Sequence, residues 1–232
     1  PPNLTTTTRL RETCAGEVIV GTIDRGLWLV PPVGDPQNFS RTNGLSANWV
    51  ADVVEDREGN LWVGTASGGL NVLSATECEV WEPPDRGNGM PALCVATSVD
   101  DTLWIGTEGA GLYRLRDGEW TRYSSELPSK FVWSVAPDKT GRIWAGTWGG
   151  GLLQQAEDQF VVPSGMEQFK TPITAILHGT SNVVWLGTRS GLRRFQAGVV
   201  QLVGSSETAA VQGVRAIAED AAGTIWFGIM GG

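Results

Sequence analysis

The sequence predicts an all-β fold, a β-propeller of four-stranded blades, on three observations. A Trp-x-Gly-Thr core recurs about every 41 residues, the runs between are short and rich in Val, Ile and Trp, and no segment carries a sustained helical period. The core stands as Leu61-Trp62-Val63-Gly64-Thr65, Leu103-Trp104-Ile105-Gly106-Thr107, Ile143-Trp144-Ala145-Gly146-Thr147 and Val184-Trp185-Leu186-Gly187-Thr188. Two variants flank these four: Val18-Ile19-Val20-Gly21-Thr22 near the start and Ile225-Trp226-Phe227-Gly228-Ile229 near the end. The six glycines are separated by 43, 42, 40, 41 and 41 residues. Four short strands repeated at a period of roughly 40 to 45 residues are the mark of propeller blades.

Within a blade the strands are lettered A to D from the centre outward, and the fourth blade shows their order. Phe131-Val132-Trp133-Ser134-Val135 is strand A, Asp138-Lys139-Thr140-Gly141 is a turn, Ile143 to Thr147 is strand B, and the Gly149-Gly150-Gly151 turn leads into strand C from Leu152. Strand D fits at Gln159-Phe160-Val161-Val162 here and at Glu119-Trp120-Thr121-Arg122-Tyr123 in the blade before. The blades so drawn cover residues 5–45, 46–88, 89–127, 128–168, 169–209 and, in part, 210–232 of a single domain. Strand A lies between neighbouring blades and should be apolar on both faces. Leu10, Val53, Val95, Val135, Ile176 and Ile217, each nine residues before the Trp of strand B or its Ile19 counterpart, are predicted to form a buried ring. Trp62, Trp104, Trp144, Trp185 and Trp226 are predicted to fill the wedges between blades, and the glycine two positions on to admit a close neighbour.

The last repeat reaches only the turn after strand B, at Met230-Gly231-Gly232. The expectation is five complete blades and the A–B half of a sixth, cut from a larger propeller, with further blades at the C-terminal edge. A six-bladed ring with a thin last blade and self-association through the open edge of strand B are the rival readings.

Composition removes several classes of function. A net charge of -8 argues against binding to a nucleic acid backbone, which calls for a basic stripe. The longest apolar stretches, about five or six residues, are far short of the roughly 20 that span a bilayer, so no membrane contact is expected of this segment. Cys14, Cys78 and Cys94 lack CxxC spacing and the chain has a single histidine, so neither a zinc site nor any other cofactor is expected. Idle cysteines are favoured over one disulfide with a free thiol. No Walker loop, nucleophile elbow, HExxH or EF-hand loop is present, and His178 lacks the neighbours that a general base needs.

One stretch goes beyond fold class. Val53-Val54-Glu55-Asp56-Arg57-Glu58-Gly59-Asn60-Leu61-Trp62-Val63-Gly64-Thr65 with Gly68-Gly69-Leu70, preceded by Asn43-Gly44-Leu45 and echoed by Glu219-Asp220-Ala221-Ala222-Gly223-Thr224-Ile225-Trp226, resembles the two-component-regulator propeller repeat. That repeat occurs in the sensor regions of bacterial hybrid histidine kinases and related signalling proteins. The resemblance covers nearly the whole chain, with departures at Ile19, Ser98 and His178-Gly179. It implies a non-enzymatic, ligand-sensing propeller in the periplasm or outside the cell, binding a small polar or carbohydrate ligand on the channel face. A stand-alone carbohydrate-binding or protein-interaction propeller and a propeller lyase or hydrolase are the alternatives.

The site prediction follows from where the repeats differ. The D–A and B–C connections share one face, around the mouth of the axial channel. Eleven residues before the Trp position the repeats carry Thr8, Ala51, Leu93, Trp133, Thr174 and Arg215, and this variety marks a candidate site. Trp133 and Arg215 can grip a sugar ring or a carboxylate. Trp49, at the start of the second strand A, and Trp148 and Arg189, in B–C turns, are placed to reach the same face, where Asp24-Arg25 and Glu108 add mixed charge. The turn residues Asp56, Asp138 and Asp220 read as structural, holding turn amides at the opposite end.

Overall fold

Every described element is a β-strand, in agreement with the sequence. The computed structural model describes residues 6–74, 78–81, 83, 91–203, 213–220 and 222–229, with the backbone alone for 78–80. The chain ends, Ala221 of the last motif, and the blade limits drawn near 88 and 209 lie outside the described residues.

Blade one contains β1 (Thr7–Glu12), β2 (Val18–Thr22), β3 (Leu27–Val30) and β4 (Gln37–Phe39), and blade two β5 (Val50–Glu55), β6 (Leu61–Thr65), β7 (Gly69–Leu73) and β8 (Cys78–Trp81). Blade three contains β9 (Ala92–Thr97), β10 (Leu103–Thr107), β11 (Leu112–Arg116) and β12 (Glu119–Tyr123). Blade four follows with β13 (Val132–Pro137), β14 (Ile143–Thr147), β15 (Gly151–Ala156) and β16 (Gln159–Val161), and blade five with β17 (Ile173–His178), β18 (Val184–Thr188), β19 (Gly191–Gln196) and β20 (Val199–Leu202). Blade six holds β21 (Val214–Glu219) and β22 (Ile225–Ile229), a two-stranded sheet where the others are four-stranded meanders. The innermost strands pack in series, β1 on β5, β5 on β9, and so on to β21.

The core is a set of layers between successive blades. Ile19 and Leu27 meet Val50, Val53 and Val63; Leu70 meets Val95, Ile105 and Tyr113; Leu112 and Trp104 meet Val132, Ala145 and Leu153; Leu152 and Trp144 meet Ile173, Leu186 and Phe195. The repeated glycine of strand B makes this fit possible. A Cβ at Gly21 would lie 2.8 Å from Val50 Cγ1, at Gly106 2.8 Å from the Val132 carbonyl, at Gly146 2.6 Å from Ile173 Cγ2 and at Gly187 2.9 Å from Val214 Cγ1. The first residue of each following strand A thus sits in a notch that only glycine leaves open. At Gly228 the nearest neighbour among the described residues is Ala216 of its own sheet, 3.8 Å away, so no described residue fills that notch. The threonine after the glycine is buried in five blades because its hydroxyl closes the B–C turn, as Thr65 does on the Gly69 carbonyl at 2.9 Å and Thr147 on that of Gly151 at 2.9 Å.

Two features of the predicted core are corrected. Trp104 and Trp144 are 2% and 7% exposed and Trp62 and Trp185 are half-buried, but Trp226 is 63% exposed, because no described blade covers the outer face of blade six. In the predicted A-strand ring Val53 and Val95 are buried and Val135, Ile176 and Ile217 are half-buried, whereas Leu10 is 68% exposed: it faces the same uncovered seam from the other side. Cys14 is an exposed free thiol and Cys94 a buried one; burial above all, with the charge of Asp52, pushes the Cys94 thiol far up, so it stays protonated.

The turn aspartates hold more than the turn. Asp56, Asp138 and Asp220 each accept two backbone N–H groups with Oδ1 and the indole N–H of the blade's own Trp with Oδ2, at 2.8, 3.1 and 2.9 Å for Trp62, Trp144 and Trp226. Where the motif departs, this bond is lost. Ser98 turns its hydroxyl to Asp100, and the buried indole N–H of Trp104 has no partner among the described residues. Gly179 leaves room for Trp185, whose Nε1 would lie 3.0 Å from a Cβ there.

Burial alone would raise the Asp138 carboxyl, but hydrogen bonds from Thr140, Trp144 and Arg142 outweigh it and hold the pKa below the ordinary range. A carboxyl depressed in the fold adds stability above its unfolded pKa of about 3.9, and that contribution disappears as pH falls through the lower folded value. Asp138→Asn should therefore lower the urea midpoint at pH 7, with the gap to the parent protein closing below about pH 4. A gap that stays constant down to pH 2.5 or so, on the same principle, would show that the charge of Asp138 plays no part.

Candidate functional site

In all six blades the A–B ladder skips one residue near the start of strand A, and the skipped residues are Thr8, Ala51, Leu93, Trp133, Thr174 and Arg215. These are the six positions at which the repeats diverge. A β-bulge leaves its extra residue out of the ladder and re-aims the side chain, so sequence is free to vary there without breaking a sheet. Two of the six tie their own blade to the next, one to two and five to six: Thr8 Oγ1 donates to the Val50 carbonyl at 2.6 Å and Thr174 Oγ1 to that of Val214.

Around the axis lies an open cavity of about 430 Å³, lined by residues from all six A strands and from β22 and reaching the seam at Leu10 and Trp226. The residue after each bulge, Arg9, Asp52, Cys94, Ser134, Ala175 or Ala216, reaches it, as do four of the bulge residues, Thr8, Trp133, Thr174 and Arg215. Asp52 is the one carboxylate among the described lining residues. It is buried, accepts from Arg9 Nε at 2.9 Å and from the Val53 and Val95 amides at 3.0 and 3.1 Å, and stands 3.9 Å from Arg11.

Four of the five predicted site residues come together. The rings of Trp133 and Trp148 lie 4.9 Å apart at 35°, the Arg215 guanidinium sits over Trp133 at 5.1 Å, and that of Arg189 over Trp148 at 5.2 Å. The stack runs from the cavity wall, where Trp133 and Arg215 are half-buried, to the B–C turns, where Trp148 is half-buried and Arg189 exposed. Burial chiefly, and then the nearby charges of Arg9 and Arg189, lower the pKa of Arg215. Trp49 stands apart. It is 49% exposed at the start of β5, takes no part in the stack, and does not line the cavity.

Sequence reasoning passed over Arg9, Arg11 and Asp52. Divergence at the neighbouring position, ten residues before the Trp, carries the signal for Arg9 and Asp52, but the bulge that brings two consecutive residues to the channel is invisible in an alternating pattern. His178, at the end of β17, is packed on Trp144 with ring centres 5.2 Å apart, and burial lowers its pKa. Among the described residues no group of three or more His, Cys, Asp or Glu is placed to hold a metal ion, and no helix is long and apolar enough to cross a membrane.

A family model for the two component regulator propeller matches residues 44–67 and 126–149. Those two segments are similar to the two component regulator propeller repeat. Both matched segments run from the approach to strand A through strand B, so the family pattern is the scaffold of notch glycine, turn and wedge Trp described above, and the bulge lies inside it. Among solved structures, these repeats resemble the extracellular domain of a protein described as a hybrid two component system of B. thetaiotaomicron, with 26% identity over 97% of this chain and 32% of that one and a TM-score of 0.83. The chain spans about a third of the length of that relative. PorZ, a surface component of the type-IX secretion system of Porphyromonas gingivalis, is 16% identical over 94% of this chain and 36% of its own, with a TM-score of 0.72. A catalytically inactive virginiamycin B lyase of Staphylococcus aureus, with quinupristin, is 15% identical over 99% and 79%, with a TM-score of 0.79. The last two share the fold alone. Among curated proteins none matches the chain.

Proposed function

We propose that this chain is the ligand-sensing part of a bacterial signal-transduction protein, placed outside the cytoplasm, and that it binds a small polar or carbohydrate molecule at the mouth of its axial channel without transforming it. The observation that carries this is the cavity: all six innermost strands contribute to it, and the bulge residues Trp133 and Arg215 stand in its wall. Its volume is in the range of small-molecule sites. The likeness to an extracellular domain of a hybrid two component system supports both the signalling role and the location.

The face of blade six, with Trp226 exposed and no described residue in the Gly228 notch, is suited to a further blade, since each earlier notch receives the first residue of the next one. A lyase reading has less support. The chain's one histidine, His178, is packed against the wedge residue Trp144, and it does not line the cavity.

Trp133→Ala tests the proposal. Titrating a panel of oligosaccharides calorimetrically should find a ligand for the parent protein whose affinity drops at least about tenfold in the variant. Unfolding should show a loss of only about 1 to 2 kcal/mol, because the ring is half-buried and not a core wedge. Unchanged affinity together with a loss of several kcal/mol would place Trp133 in the scaffold and end the site assignment.

A further inference from the structure

We propose that the seam between blades four and five is a pH-sensitive latch, closed while His178 is neutral and loosened when it takes up a proton. The inference stands apart from the reading of the cavity as a ligand site. Seven residues before the strand-B Trp, at the end of strand A, blades two and six carry a glutamate that holds the turn of the blade before. Glu55 accepts from the Cys14 amide at 2.8 Å, and Glu219 from the amide and the hydroxyl of Thr180 at 2.8 and 2.6 Å. His178 has that place in blade five. Its ring lies instead on Trp144, the wedge of blade four, with centres 5.2 Å apart and planes at 58°, and its Nε2 is buried without a partner among the described residues.

A neutral imidazole suits this place and an imidazolium does not. Protonation puts a hydrogen on both ring nitrogens, and a buried N–H without an acceptor is costly. The strands packed on β17 are β13, β14, β18 and β21, and the first three carry no charged residue. On β21, Arg215 stands over Trp133 and Glu219 holds Thr180. The turn from β13 to β14 brings Asp138, Lys139, whose Nζ donates to the Thr180 carbonyl at 2.8 Å, and the exposed Arg142. Asp138 attracts the imidazolium, yet burial outweighs that attraction and holds the pKa of His178 below the ordinary range. A histidine so depressed adds stability that is complete above its unfolded pKa of about 6.5 and is lost as pH falls through the lower folded value. Trp133 and Thr174 line the axial cavity from the two sides of this seam, so its loosening shifts one wall of the cavity.

His178 is the one histidine of the chain, so its imidazole signals can be followed by NMR without ambiguity. Their titration midpoint is expected below the ordinary value of a free histidine. In hydrogen exchange, the protection of the β14 and β17 amides, taken relative to that of β5 and β6, should fall severalfold between about pH 7.5 and pH 5. In His178→Phe, which keeps a ring on Trp144 and has nothing to protonate, that ratio should stay constant over the same range. If His178→Phe fails to fold, the midpoint and the exchange ratio of the parent protein decide. A midpoint at or above the ordinary value would show that the packed ring accepts the charge freely, and would overturn the proposal. A constant exchange ratio in the parent protein would remove the latch, and a ratio that still falls in His178→Phe would take the sensor away from His178.

Discussion

Replacing Trp144 with alanine should cost about 3 to 5 kcal/mol, whereas the same change at Trp226 should cost less than about 1 kcal/mol. The two residues occupy the same place in the repeat and make the same bond, from the indole N–H to the turn aspartate, at 3.1 Å to Asp138 and 2.9 Å to Asp220. They differ in what covers the ring. Trp144 is closed in by Ile173, Val184, Leu186 and Phe195 of the next blade, and its removal leaves a cavity that a strand-to-strand layer cannot collapse to fill. Trp226 has no described blade over it. Urea midpoints of the two variants, read by circular dichroism, decide the matter. Equal losses would mean that the outer face of blade six is covered in solution, by a second copy or by an irregular closure onto blade one.

Asp52→Ala should lower stability by about 3 kcal/mol, at the low end for a broken buried ion pair because Arg9 keeps part of its solvent contact. Asp52 joins three blades at the axis: its own β5, Arg9 of β1, and the Val95 amide of β9. Alanine removes the carboxylate from a guanidinium and from the buried amides of Val53 and Val95, and each group left unpaired has a desolvation cost. Asp52→Asn, which can still accept from one amide, should lose roughly half as much. Combining Asp52→Ala with Arg9→Ala should cost less than the sum of the single changes. Additive losses in that cycle would show that the pair is not coupled.

Much of this molecule is written in its repeat. The 41-residue period, the Gly and Asp turns and the apolar runs give the blades and nearly every strand, because hairpin meanders depend on local turn chemistry and on alternation that a single strand already displays. The wedge role of Trp104 and Trp144 and the notch role of Gly146 and Gly187 were equally legible, since each repeat buries its neighbour in the same way. Trp226 and Leu10 defeated that logic: they bear the same pattern, but burial is a property of the neighbour and not of the residue.

The candidate site was half legible. Divergence inside a repeat drew attention to Trp133 and Arg215, and turn position to Trp148 and Arg189, yet it drew equal attention to Trp49, which the fold leaves elsewhere. Spacing assigns a residue to a face of the ring of blades and does not say which blades meet across it. Sequence by itself determined the propeller, its repeat and the strands that carry these residues, because those follow from short-range turn and alternation rules. Only the tertiary structure decided that a bulge in every A strand turns its extra residue out of the ladder, that Arg215, Trp133, Trp148 and Arg189 come together, and that Asp52 meets Arg9 and Arg11. Most of these are meetings between residues of different blades, set by how twisted sheets pack around an axis, and no local pattern encodes them.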